Sequence, residues 1–280
     1  MKRYGGQTNV GEIKRILLKH PKQSYISQEH IEDQWRGLHY GGAPDFQKAI
    51  DEYDAFVLLL GNAGMEMDFL PQNPAAGLDS IYTHDPLFVW DGGAVLLSMG
   101  KEGRRGEPGA MGDYLERLDV PVVGRITGSG RIEGGDLMWI DPYTLAVAEG
   151  YRTNAEGIRQ LEAILGEAVD EIIRVPLPHW NGPDDCLHLL SLISPVGDHL
   201  AVVYSRLMPV RFRNLLLDRG YVLVEVPDEE YGSLGGNVLP LAPGRCIMLA
   251  GNPRTQARLA RAGIEVLTYQ GDEISHKGVG

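Results

Sequence analysis

The sequence predicts an α/β fold in which a strand–helix–strand unit occurs five times, arranged like a propeller about a central axis. Three observations lead there. Short apolar runs alternate with amphipathic helical stretches along the whole chain. The units follow one another at intervals of roughly 40 to 80 residues. No Pro/Ser-rich linker or charge run separates them, so residues 1–280 read as one domain. A doubly wound sheet is the rival, but no G-x-G-x-x-G follows a strand and no P-loop occurs.

The first unit opens with a strand over residues 13–18. A polar loop follows, then a helix over 44–53 with Phe46, Ala49, Ile50 and Tyr53 on one face. The apolar run at 56–60 reads as its closing strand. The second unit is a strand over 94–98, a helix over 107–118 and a strand over 120–126. In the third, a strand over 145–148 precedes a helix with a capping-box pattern at Thr153 and Glu156 and a stop at Gly166; a strand over 172–175 closes it. The fourth has a strand over 200–204, a helix from Pro209 to Gly220 and a strand over 221–226. The fifth has a strand over 246–250, a helix opened by Asn252-Pro253 and closed by Gly263, and a strand over 264–268. Extra short strands are expected over 87–90, 137–140 and 187–193.

Composition narrows the function classes. No run of 18 apolar residues exists, and Met1 to Gly6 contain no apolar signal core. The two cysteines, Cys186 and Cys246, are too few for a disulfide scaffold, which points to a reducing, cytoplasmic setting. Net charge is −12 and basic residues do not cluster, which argues against nucleic acid or an anionic membrane as partner. A small cationic ligand suits that field. Assembly into a homo-oligomer is left open.

Polar residues gather in the connections between units, which converge at the centre if the units surround an axis. Asp79, His84 and Asp85 lie in one connection, Glu133 and Asp136 in the next, and His179, Asp184, Asp185 and His188 in a third. Glu133-Gly134-Gly135-Asp136 reads either as a tight turn with two solvated acids or as a carboxylate held beside backbone that can approach a ligand. His188 reads either as a hydrogen-bonded core histidine or as a general acid/base near a carboxylate. Cys186 is expected on the same strand face as His188, as a small buried apolar residue rather than a nucleophile. His179, Asp184, Asp185 and His188 could ligate a metal, but their spacing matches no H-E-x-x-H or C-x-x-C pattern, so no metal is expected. His276 reads as a solvated loop residue.

Taken together, Asp79-x-x-x-x-His84-Asp85-Pro86, Glu133-Gly134-Gly135-Asp136, Arg152-Thr153-Asn154 and Leu187-His188-Leu189-x-Ser191 resemble the guanidino-group-modifying enzymes (pentein superfamily). The dimethylarginine dimethylaminohydrolases are most similar, with arginine deiminases and amidinotransferases as relatives. The resemblance runs almost end to end. It implies a fivefold pseudosymmetric α/β propeller with a central site, and hydrolysis of a substituted guanidinium to a ureido group through a cysteine thiouronium intermediate, without metal or organic cofactor. It assigns His188 as acid/base, Glu133 as its partner and guanidinium grip, and Asp85, Asp79 and His84 as substrate contacts. Arg104 and Arg152 would clamp a substrate carboxylate, although Arg104 with Arg105 also reads as a solvated loop pair.

Two departures stand out. His84 occupies a position where dimethylarginine hydrolases tend to carry glutamate. The family's cysteine lies in a Gly-rich C-terminal segment, which Lys277-Gly278-Val279-Gly280 resembles at its start. A short tail carrying that cysteine is expected to follow, and the 280-residue chain on its own is expected to be inactive. An arginine deiminase, an amidinotransferase or a non-catalytic binding protein on the same fold is the alternative.

Overall fold

A computed structural model of the chain describes residues 4–278. Its named strands form five separate sheets, four of three strands and one of two. The first unit is β1 (Arg15–Leu18), two short helices α1 (Pro21–Ser24) and α2 (Gln28–Gln34), the long α3 (Phe46–Asn62) and β2 (Glu66–Phe69), with β1 and β2 parallel. The second is β3 (Leu87–Trp90), β4 (Gly93–Leu96), α4 (Glu107–Leu115) and β5 (Val122–Arg125). The third is β6 (Leu137–Asp141), β7 (Thr144–Glu149), α5 (Ala155–Leu165) and β8 (Glu171–Pro176). The fourth is β9 (Ile193–Gly197), β10 (Leu200–Val203), α6 (Val210–Asp218) and β11 (Val222–Glu225). After α7 (Asp228–Tyr231), the fifth is β12 (Val238–Ala242), β13 (Arg245–Leu249), α8 (Pro253–Arg261) and β14 (Glu265–Tyr269).

The strand–helix–strand repeat is therefore present, and units two to five add a leading strand. In each, that strand forms an antiparallel hairpin with the middle one, and the third returns parallel after its helix. The middle strands β4, β7, β10 and β13 are buried along almost their whole length, which is why they read as continuous apolar runs.

The apolar clusters straddle neighbouring sheets. Ile132, Trp139, Val147 and Leu161 of the third unit pack with Phe88, Val95 and Leu97 of the second. Met138 and Val175 pack with Ile193, Val203 and Leu216. Val202 and Val224 pack with Val238, Met248 and Leu259. Leu241, Ile247 and Ile274 join Leu18, Ala49, Tyr53 and Leu60, so the fifth sheet shares a core with the first.

Four expectations need correction. Residues 56–60 are not a strand: α3 runs through them to Asn62, with Leu60 buried and Leu58 65% exposed. An unbroken apolar run carries no period, so it reads equally as strand or helix. Residues 187–193 are a loop and a short 3-10 turn (Leu189–Ser191) leading into β9, not one strand. The cap of α5 is Asn154, whose Oδ1 accepts from Gly157 N at 2.9 Å, while Thr153 is used elsewhere. The polar loop after β1 contains α1 and α2, capped by His20 and Ser27.

Candidate active site

Three connections meet where β6 begins. Glu133 is extended and Gly134–Asp136 form one 3-10 turn that runs into the strand. Neither Gly134 nor Gly135 has positive φ, so close approach is what requires them. A Cβ on Gly134 would overlap the carbonyl oxygen of His84, and one on Gly135 would sit 2.5 Å from His188 Nδ1. Asp136 fastens the turn: Oδ1 accepts from Leu189 N at 3.0 Å and Oδ2 from Thr153 Oγ1 at 2.6 Å. Burial pushes this carboxyl up to about 6.

Glu133 is wholly buried, with partners on both oxygens. Oε2 lies 2.8 Å from His188 Nε2, and Oε1 accepts from Gly100 N at 2.8 Å and Arg152 Nε at 3.0 Å. Burial alone would raise its pKa. The hydrogen bond and charge of His188, together with Arg152, outweigh that and hold it well below the usual carboxylate range. His188 moves the opposite way. Burial disfavours its charge, but Cys186, Asp136 and Asp85 more than compensate, leaving it well above the usual imidazole value.

Asp85 completes the centre. Its Oδ1 accepts from Gly135 N at 3.1 Å and its Oδ2 from Arg104 Nη1 at 2.6 Å. Burial works against its charge, and Arg104 and then His188 restore it, so it ends below its ordinary value. Arg104 is no solvated loop residue and has no open fork for a substrate carboxylate. It is 2% exposed and also donates to both oxygens of Glu107 at 2.9–3.1 Å and to the carbonyls of Tyr82 and Asp79. Burial pushes Glu107 up to about 7 in spite of that pairing. Arg105 is the exposed member of the pair and bridges to Glu102.

Ligand-capable atoms of Asp85, Glu133 and His188 lie within 4.8 Å of one another. Asp79 is buried, with Oδ2 2.6 Å from Lys101 Nζ, and exposed His84 places Nε2 3.1 Å from the carbonyl oxygen of Gly134. The seven residues singled out in the sequence thus belong to one network. Lys101, Glu107 and Thr153 belong to it as well and were not anticipated; the i,i+3 spacing of Arg104 and Glu107 was the available clue. The other acid–histidine group disperses. His179 Nδ1 pairs with Tyr151 Oη at 2.6 Å, Asp185 with Asn181 at 2.8 Å, and Asp184 lies 3.9 Å from His39.

The C-terminal residues reach the same wall. Gly41 N donates to Lys277 O at 2.8 Å, and a Cβ on Gly278 would overlap Tyr82 Oη and lie 3.0 Å from Tyr40 Cε1. The carbonyl of Tyr82 is bound to Arg104, so the end of the described chain lies two residues' contacts from Asp85. Val279 and Gly280, where the tail resemblance begins, lie outside the described residues. His276 is exposed, as expected, but it ends a π-helical turn (Asp272–His276) rather than lying in a loop.

This geometry has counterparts. Residues 30–279 match the family described as N,N dimethylarginine dimethylhydrolase, eukaryotic. The N(G),N(G)-dimethylarginine dimethylaminohydrolase of Pseudomonas aeruginosa is 27% identical over 267 residues, 93% of this chain and 94% of that protein. The enzyme of the same name from Streptomyces coelicolor is 30% identical over 224 residues, 79% and 78% of the two chains. A cysteine-to-serine variant of the Pseudomonas protein, solved with citrulline, superposes with a TM-score of 0.76 at 25% identity, covering 96% of both chains. With its acid–imidazole–acid centre and a match along nearly all its length, the chain belongs to the dimethylarginine dimethylaminohydrolase family.

Proposed function

We propose that the protein hydrolyses a methylated arginine to citrulline and a methylamine. The observation that carries this reading is the buried Glu133–His188 pair, 2.8 Å apart, with Asp85 pinned beside it by Arg104. A guanidinium stays protonated at ordinary pH and resists attack unless anions orient it. Asp85 and Glu133, both held ionised, supply the negative charge that a planar cation needs.

A thiolate adds to the guanidinium carbon, and His188 gives a proton to the departing amine as the C–N bond breaks. Water, deprotonated by His188, then adds to the thiouronium carbon; the C–S bond breaks and a ureido group is left. The sulfur is assigned to a cysteine carried by a tail after Gly280, and Gly278 against Tyr82 is a suitable starting point. Arg152, tied to Glu133 through Nε, is the remaining candidate to meet a substrate carboxylate. Arg104 acts as a positioning residue for Asp85 instead. The five sheets with shared cores suit a closed fivefold propeller around this centre.

The test is product analysis with the full-length protein on asymmetric dimethylarginine, monomethylarginine and arginine. Citrulline with dimethylamine supports the reading. Citrulline and ammonia from arginine alone would indicate a deiminase, and no ureido product from any of the three a binding protein.

A further inference from the structure

The site contains a thiol that the proposed hydrolysis does not use. Cys186 is half-buried, and its Sγ lies 3.6 Å from His188 Nδ1, within sulfur hydrogen-bond range. The opposite ring nitrogen is the one held by Glu133 at 2.8 Å. Sulfur, imidazole and carboxylate therefore form a continuous series, in which the carboxylate orients the imidazole beside the sulfur. Arg152 adds a second cation: its charge, opposed by burial, is favoured first by Glu133 and next by Cys186.

The turn before it delivers the sulfur. Gly182 has φ +105, Asp185 N closes on Gly182 O at 3.3 Å, and the chain is extended at His188. Cys246 is the contrast. It is fully buried in β13, and burial pushes its thiol up to about 12.

We propose that Cys186 is a covalent modification site for small soft carbon electrophiles of the α-halo carbonyl type. The thiol proton goes to solvent, the S–C bond forms as the carbon–halogen bond breaks, and halide leaves, while the protonated imidazole 3.6 Å away offsets the charge that develops on sulfur. The thioether then sits on the imidazole nitrogen that does not face Glu133 and caps the acid/base. This goes beyond the hydrolysis reading and does not depend on it, because thiol reactivity is measured without turnover.

The test is iodoacetamide labelling of the full-length protein at neutral pH, resolved by peptide mass spectrometry. A synthetic peptide of residues 182–190 in the same buffer is the reference. Cys186 in the fold should react at least about tenfold faster than in the peptide, since partial burial alone would slow it. A rate equal to or below that of the peptide would overturn the assignment. His188→Gln should remove the acceleration; a fast rate that survives this change would overturn the role of the imidazole.

Discussion

Arg104 Nη1 donates to Asp85 Oδ2 at 2.6 Å, so an arginine with almost no exposed surface sets the position of an acid at the centre of the site. The same guanidinium grips Glu107 through a fork. Replacing it by alanine leaves two buried carboxylates without their cation, and Arg104→Ala should lose about 3–5 kcal/mol of stability in urea unfolding. Arg104→Lys keeps a charge but not the fork and should recover only part. Arg105→Ala, at the exposed neighbour, should stay within about 0.5 kcal/mol of the parent. Equal losses at both positions would contradict the positioning role.

His188 and Glu133 act as one unit through the bond between Nε2 and Oε2. His188→Asn should lower turnover on the best guanidine substrate by a factor of roughly 10² to 10⁴. Glu133→Gln should fall in a similar range, and the double variant should be little worse than either alone. Multiplicative losses in steady-state kinetics would mean that the two residues work separately.

The pH dependence has opposing parts. Glu133 sits below its ordinary value of 4.5, so its stabilisation is present above that value and lost as pH falls through its folded one. His188 sits above 6.5, so its stabilisation is full below 6.5 and lost as pH rises through its folded value. Asp136 is raised from 3.8 to about 6, so the native state binds its proton more tightly and that contribution is lost as pH rises between the two. Urea melts of Asp136→Asn across this interval should lack the part of the slope that the parent shows there.

Gly135→Ala tests the approach of the two connections. The added methyl would sit 2.5 Å from His188 Nδ1 and 2.7 Å from its Cγ, so the imidazole must turn or the backbone must part. Turnover should drop by about 10²-fold while the circular dichroism spectrum is kept, because a displacement on the order of 1 Å is enough for a loss of that size. Unchanged kinetics would show that the imidazole has room to spare.

Asn154 caps α5 and also accepts from Arg131 N at 3.0 Å. Asn154→Ala should cost about 1 kcal/mol, read as a lower melting temperature, with Asn154→Asp close to the parent.

Much of this is legible in the sequence. The order of units followed from strands and helices with clear stops, such as Gly166 at φ 53° and Gly263 at φ 85°. Asp85, Glu133 and His188 could be linked because their motifs recur in a known order. What stayed hidden depended on contacts distant in sequence. Arg104 looks solvated because its bond to Asp85 spans 19 residues, and Thr153 looks like a cap because its bond to Asp136 spans 17. The nearness of Cys186 to the imidazole rests on a loop conformation that has no period to read.

The core that Leu18, Tyr53 and Leu60 share with Leu241, Ile247 and Ile274 has a consequence for biosynthesis. The earliest helices to leave the ribosome cannot complete their apolar packing until Ile274 has emerged more than two hundred residues later. Until then that surface stays exposed, a window in which a chaperone would find it.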